Sequence, residues 1–478
     1  MTLNDLTALL PLIVLSLTTI AVMLGIAASR SHSFTATLSL FGIYLSFLSL
    51  ALAYSEAPRQ VTPLIVVDNF ALLYMALILL SGFITAVLSF GYLNKLQINR
   101  EEFYLLLLLA LLGAMVLVCS SHFASFFLGL EILSVSLYTL IAYPKSLVKH
   151  VEAGMKYLVL AAVSSAFLLF GMALIYADSG SMTLSVIASK ATHNAHYTLS
   201  FTAGLVLMLV GIGFKLALVP FHMWTPDVYE GAPAPVAAFI ATVSKGAVFA
   251  LLLRYFTQTD FLKSDTLFLV FGFISFVSMV AGNLLALFQN NIKRVLAYSS
   301  IAHMGYVLVA FLAGGTLAAQ VVTFYLVTYF VTTFGAFGII TLLSDSKKDA
   351  DDIEDYRGMA WHRPFLTAAF TAMIFSLAGI PLTAGFIGKF YLISAGASSE
   401  LWVLIVTLAL SSVIGLFYYI RIIFSLYARP SGDQMPSLPL ISITGSVFLA
   451  VLTLLLLWIG IYPGPLMEGI KSVLGRFS

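Results

Sequence analysis

Four ionisable side chains stand where lipid should be. Lys215 lies in the run GIGFKLALVPFHMWTPDVY (211–229), Lys245 in ATVSKGAVFALLLR, Lys389 in LAGIPLTAGFIGKFYLI and Glu131 in FLGLEILSVSLY. A charge at the centre of a membrane helix costs roughly 2.5–3.5 kcal/mol on insertion scales, so such residues usually meet a partner or a hydrated cavity and mark an ion path. One carboxylate cannot neutralise three amines. At least some of the lysines therefore need water or must give up their protons. Burial weakens an amine's hold on its proton and a nearby carboxylate restores it, so an amine whose carboxylate moves can load and unload a proton. Glu131 beside Lys215 would be such a modulator.

Histidine, with an ordinary pKa near 6.5, suits the relay between sites of this kind. His303 lies in SSIAHMGY with Ser299, Ser300 and Tyr306 close by. His222 follows Lys215 by seven residues, about 10 Å along a helix, a gap that needs bridging water. Lys156 lies about five residues into its span, where snorkelling competes with a place on the path. Arg254 and Arg421 lie near span ends, and snorkelling to the headgroups is expected for both. The competing explanation for the whole set is a fixed ion pair that staples helices together.

The elements that must position these groups follow from composition. The chain has 478 residues, 61% hydrophobic and 9% charged, with a mean hydropathy of +1.04. Soluble domains carry about a quarter charged residues, so an all-α polytopic membrane protein in a lipid bilayer is expected. A net charge of +2 gives no basis for binding nucleic acid. The single cysteine, Cys119, excludes an intramolecular disulfide and cysteine-ligated zinc or iron–sulfur sites. His193 and His196 lack the acidic or cysteine company that a metal site requires. No phosphate-binding, dinucleotide-binding or nucleophile-elbow motif stands in a suitable context. A cleavable signal peptide is not expected, because residues 1–28 lack a basic start and are long enough to span.

Apolar runs of about 20 residues give fourteen expected spans: 6–28, 34–54, 69–92, 103–120, 123–143, 151–177, 199–219, 234–256, 266–288, 295–313, 318–343, 365–395, 401–427 and 438–461. Twelve Lys/Arg fall in loops after odd-numbered spans, and five in the termini and the loops after even-numbered spans. That bias makes the odd loops cytoplasmic and both termini periplasmic. The longest polar segment, 344–364, is expected to be a solvated connector.

Pro220 and Pro381 interrupt the seventh and twelfth spans beside Lys215 and Lys389. A proline removes a helix donor and frees a carbonyl one turn back, and irregular backbone at membrane depth persists where it lines a wet cavity. The two spans run in opposite directions, which fits two inverted five-helix repeats, spans 4–8 and 9–13, with broken helices 7 and 12. The expected divisions are three N-terminal helices in 1–100, repeats in 101–260 and 261–430, and a C-terminal helix in 431–478.

The stretches 213–254, NIKRVLAYSSIAHMGYVLVA (291–310), YRGMAWHRP (356–364) and SLAGIPLTAGFIGKFYLI (376–393) resemble the antiporter-like membrane subunits of respiratory complex I. The resemblance covers nearly the whole chain, and fourteen helices in two inverted repeats is that family's fold. It implies a proton-pumping module of a bacterial NADH:quinone oxidoreductase in the inner membrane, moving protons from cytoplasm to periplasm. By motif, Glu131 and Lys215 would be the modulating pair, Lys245 the connecting lysine and Lys389 the terminal site, with His222, His303 and Lys156 assisting. A proton loaded on Lys215 near the broken seventh helix would pass by water, Lys245 and His303 to Lys389. The resemblance implies no cofactor in this chain, with NADH, FMN, iron–sulfur clusters and quinone in other subunits. It also implies M-type and small K-, J- and A-type membrane neighbours. Lysine at 389 departs from M-type members, which carry glutamate there. An M-type subunit, an Mrp-type cation/proton antiporter subunit and a purely structural spacer are the alternatives.

Overall fold

The structure is a computed structural model that describes residues 2–96, 98–145, 148–187, 198–257, 265–346, 348–429 and 443–475. His193 and His196 lie outside the described residues. Among the described residues there are fourteen candidate membrane passes. They are α1 (Leu10–Ala28), α2 (His32–Glu56), α3 (Asn69–Asn94), α4 (Glu101–Val118), α5 (Phe123–Ile141), α6 (Val148–Ser179), α7 (Leu199–Leu216), α8 (Ala234–Phe256), α9 (Asp265–Ala286), α10 (Ile292–Ala313), α11 (Gly315–Leu343), α12 (Pro364–Ala378), α13 (Trp402–Tyr427) and α14 (Ile443–Ile461). Among the described residues, thirteen helices are long and apolar enough to cross a membrane, and Pro364–Ala378 is a shorter apolar helix.

The breaks fall at the expected places but begin earlier than the apolar runs suggest. α7 stops at Leu216 and resumes as Trp224–Gly231, while α12 stops at Ala378 and resumes as Ala384–Ser398. Ala217 caps the first half of α7 in the left-handed region at φ +59°, and Leu382 in the α12 break has φ +71°. A non-glycine residue held there costs about 1–3 kcal/mol, strain that clusters at functional sites. A third irregularity has no sequence signal: Ile240–Ser244 forms a π-helical turn inside α8, ending at Lys245. Such turns also concentrate at functional sites.

Loops after odd-numbered helices meet on one face and loops after even-numbered helices on the other. On the odd face Lys149 pairs with Asp351 at 3.0 Å and Lys293 with Asp349 at 2.6 Å, and the Lys95 ammonium donates to the Ser344 carbonyl at 2.6 Å. On the even face a small hairpin, β1 (Arg59–Thr62) and β2 (Ile65–Val67), binds the α4–α5 corner through Val66 N–H to the Cys119 carbonyl at 2.9 Å. The even face also carries an amphipathic helix, Gly464–Leu474, that buries Met467, Ile470 and Leu474.

α8 is buried throughout its span, and α10 and α11 nearly so. A helix apolar all round belongs in the centre of a bundle, and these three form the core into which the internal charges project.

Two expectations are corrected here. Arg254 does not snorkel: its side chain is 2% exposed, donates to both Asp68 carboxylate oxygens at 2.7 and 2.8 Å, and reaches the Val118 carbonyl at 3.1 Å. Arg421 turns inward as well, donating to the Leu287 and Gln289 carbonyls at the end of α9. In both cases acceptors inside the protein take the guanidinium N–H groups. Asp68→Ala is therefore expected to destabilise the chain by about 3–5 kcal/mol, because it removes one partner of a buried pair. The added change Arg254→Leu should recover part of the loss, read as the thermal midpoint of the detergent-purified protein.

Candidate functional site: a chain of buried amines

Lys215, Lys245 and Lys389 are 3%, 1% and 7% exposed, respectively. Among the described residues none of them forms an ion pair, and neither does Glu131. This separates them from Arg254, paired with Asp68, and from Lys293, paired with Asp349.

Lys215 occupies the last turn of the first half of α7, and its ammonium donates to Ser134 Oγ at 2.6 Å. Glu131, one turn before Ser134 on α5, is half-buried and accepts from Ser165 Oγ of α6 at 2.5 Å. Carboxylate and amine thus face the same α5–α6–α7 seam with serines between them. A serine hydroxyl both donates and accepts, so this spacing can pass a proton or let the two charges approach. Among the described residues Lys215 takes no carbonyl at the α7 break; the Phe214 carbonyl accepts from the Ala217 N–H at 3.0 Å and from the Trp224 indole at 2.9 Å.

The twelfth helix is where a lysine and a helix break explain one another. Lys389, in the second half of α12, reaches back and donates to the Leu377 and Ala378 carbonyls at 3.1 and 2.9 Å, the free end of the first half. A helix C-terminus presents orphan carbonyls with a partial negative charge.

α10 joins the other two amines. Lys245 Nζ donates to Ser300 Oγ at 2.6 Å, His303 stands one turn on, and Tyr306 follows after another. Positions three and four apart share a helix face, which makes SSIAHMGY a polar stripe. Lys389 Nζ lies 5.2 Å above the Tyr306 ring. His303 has a tyrosine on each ring nitrogen: Tyr325 OH at 2.7 Å from Nδ1 and Tyr419 OH at 3.5 Å from Nε2. Tyr419 also bonds Ser299 Oγ at 2.5 Å. Ser134, Ser165, Tyr325 and Tyr419 are the site residues that the sequence did not single out; each lies on another helix, and no spacing rule connects them.

Two candidates stand apart from this stripe. His222 sits in the α7 break, 7% exposed, with neither ring nitrogen hydrogen-bonded among the described residues. Lys156 is half-exposed on the odd face, paired with Glu152 at 2.8 Å and Asp227 at 2.9 Å.

Asp227 leads into a charge network that overturns the expectation of a solvated 344–364 connector. Arg294 pairs with Asp227 and Glu230 at 2.8 Å, and Lys149 with Glu230 and Asp351 at 3.0 Å. Burial alone would raise the Asp351 carboxyl, but Lys293 and Lys149 outweigh it and hold the group below its ordinary range. Asp349 is buried beneath. Alternating charges make the segment look like a linker in the sequence, and only the partners on α3, α6 and α10 make it a strap.

Comparison with known proteins follows the same lines. Residues 120–415 match the family described as NADH:quinone oxidoreductase/Mrp antiporter, TM. The chain is 48% identical over 476 residues to the NADH-quinone oxidoreductase subunit N of Ectopseudomonas mendocina, covering 98% of this chain and 96% of that one. It is 46% identical over 477 residues to the protein of the same name from Methylococcus capsulatus, at 99% and 96% coverage. Among solved structures it superposes on a chain of respiratory complex I from Thermus thermophilus with TM-score 0.82, 33% identity, and 96% and 98% coverage. On the match over its central 120–415 and these near full-length relatives, the chain belongs to the NADH:quinone oxidoreductase/Mrp antiporter transmembrane family.

Proposed function

We propose that this chain is an antiporter-like membrane-arm subunit of a proton-translocating NADH:quinone oxidoreductase, carrying protons from the cytoplasm to the periplasm of a bacterial inner membrane. The odd-numbered loops, which hold most of the basic residues, face the cytoplasm, and both termini face the periplasm. NADH, FMN, iron–sulfur clusters and quinone belong to other subunits of the complex, whose redox chemistry drives the transfer. The neighbours in the membrane arm are M-type and small K-, J- and A-type subunits.

One observation carries the reading. Three amines are buried in the membrane core with hydroxyl or carbonyl partners and no carboxylate in contact. A stapling role would need them paired. Hydroxyl partners leave an amine free to exchange its proton along the α10 stripe, from Lys245 through Ser300 and His303 to Lys389. Glu131 and Lys215 form the modulating pair at one end, and Lys389 is the terminal site towards the periplasm.

The test is made on the assembled complex in proteoliposomes, following quinone reduction and the pH gradient together. The complex should co-purify with flavin- and iron–sulfur-containing partners. Lys389→Ala should lower pumping by at least about tenfold while those partners remain bound, the scale expected for loss of a positioned proton-transfer group. Unchanged pumping in that variant would remove Lys389 from the path.

A further inference from the structure

A cavity of about 970 Å³ lies between α4, α5 and α6 on the odd-face side, outside the chain of buried amines. Its side walls are apolar, with Leu105 and Leu106 on α4 and Met155 and Leu158 on α6. Met155 is 55% exposed, so the cavity opens sideways, out of the bundle at membrane depth. From Val151 at the mouth to Leu158 is seven residues, about 10 Å of helix. That depth is about two-thirds of one leaflet of a hydrocarbon core roughly 30 Å thick. The inner wall is Tyr138, whose ring meets Tyr157 of α6 edge-on at 5.4 Å and is thereby held in place. Ligand sites are usually preformed in this way, at about 300–1,000 Å³.

The rim at the odd-face end carries one charge of each sign, Glu102 at the start of α4 and Lys145 just beyond α5. Arg30 donates to Glu102 Oε1 at 2.8 Å, whereas Glu102 Oε2 is buried with no hydrogen-bond partner among the described residues. A carboxylate oxygen withdrawn from water without a donor is costly, and such atoms are nearly always satisfied. The terminal torsion of a glutamate is broad, so a small rotation presents this oxygen to the cavity. Lys145 is exposed, and among the described residues its ammonium has no hydrogen-bond acceptor or ion-pair partner. The Tyr143 hydroxyl on the same rim is already spent on the Asn99 carbonyl at 2.9 Å. An open anion and an open cation therefore stand together above apolar walls.

We propose that this cavity is a binding site for one phospholipid of the odd-face leaflet, whose headgroup ends in a primary ammonium. The ammonium donates to Glu102 Oε2, the phosphate accepts from Lys145, and an acyl chain lies between α4 and α6 against Tyr138. The order of polarity along the cavity, charged at the headgroup level and apolar below it, is that of a lipid. A choline headgroup has no N–H to give the carboxylate. A purely anionic headgroup would set a second negative charge beside Glu102. An apolar helix of a neighbouring subunit would fill the walls but leave both rim charges unpartnered. The assignment goes beyond the proton-pumping reading and does not depend on it.

The experiment uses the assembled complex in proteoliposomes doped with phosphatidylethanolamine that carries a photoreactive diazirine in its acyl chain. Phosphatidylglycerol with the same chain is the comparison. After irradiation, labelled peptides are mapped by mass spectrometry. The ethanolamine lipid should label residues 137–145 and 151–158 roughly tenfold more than the glycerol lipid, the scale of one hydrogen bond to a charged group. Glu102→Gln should bring that ratio close to one, and Lys145→Ala should lower labelling by both lipids alike, because the phosphate is common to them. Thr139→Trp and Met155→Trp, both at exposed positions lining the cavity, should each fill it and abolish labelling there while other subunits label as before. Absence of labelling in the unaltered complex overturns the site and marks a groove filled by a neighbouring subunit. Equal labelling by the two lipids, or labelling that survives both tryptophans, overturns it as well.

Discussion

Lys215→Ala is expected to abolish pumping-linked turnover while the complex still assembles. The side chain is buried with one hydroxyl partner and no ion pair, so its removal deletes a charge without stranding an opposite one in contact. The energetic requirement is modest. Moving one charge against 100 mV costs about 2.3 kcal/mol, and a swing of two pKa units in an amine supplies about 2.7 kcal/mol. Glu131, held on Ser165 across the same seam, is placed to produce such a swing by approaching or leaving. Lys215→Arg keeps the charge but not the ability to release it, and should pump almost as poorly as alanine. Replacing Glu131 and Lys215 together by leucine and methionine separates pump from spacer. A spacer would keep normal coupled turnover, and a pump would lose it. Normal pumping by Lys215→Ala would end its assigned role.

Gly385→Ala is expected to disable the proposed conduit from the other end. A Cβ at Gly385 would lie 1.9 Å from the Ser376 carbonyl oxygen, where backbone cannot yield cheaply. The Gly385 N–H donates to Ser376 Oγ at 3.0 Å, so the halves of α12 are knitted at this point. Lys389, one turn further on, reaches the Leu377 and Ala378 carbonyls only while the halves stay this close. Overpacking typically costs about 1–3 kcal/mol, and the displaced amine loses both acceptors. Lower thermal stability and a loss of pumping comparable to that of Lys389→Ala should appear together. Gly272→Ala on α9 is the control, because nothing lies within 4 Å of its Cβ position. Equal pumping by the two glycine variants would show that the close approach does not place Lys389.

The amino-acid sequence by itself determined the passes and the unusual charges. Fourteen apolar runs are legible because lipid requires about 20 apolar residues per crossing, whatever the rest of the chain does. Glu131, Lys215, Lys245 and Lys389 stand out because each breaks that rule in a single run. The polar stripe Ser299, Ser300, His303 and Tyr306 is legible because it lies on one helix, at helical spacing.

What the tertiary structure alone decided is who faces whom. Arg254 and Arg421 look like snorkelling residues until Asp68 and the end of α9 are seen beside them. The 344–364 segment looks solvated until Lys293 of α10 and Tyr92 of α3 close on Asp349. The serines on Lys215 and Lys245 and the tyrosines on His303 come from helices distant in the chain. Periodicity records whether a side chain meets lipid or protein, because that depends on one face of one helix. It carries no record of which neighbour fills the contact, because that is set by how helices far apart in sequence pack. Hydrogen-bond partners, on which the proposed proton route rests, belong to that second kind of information.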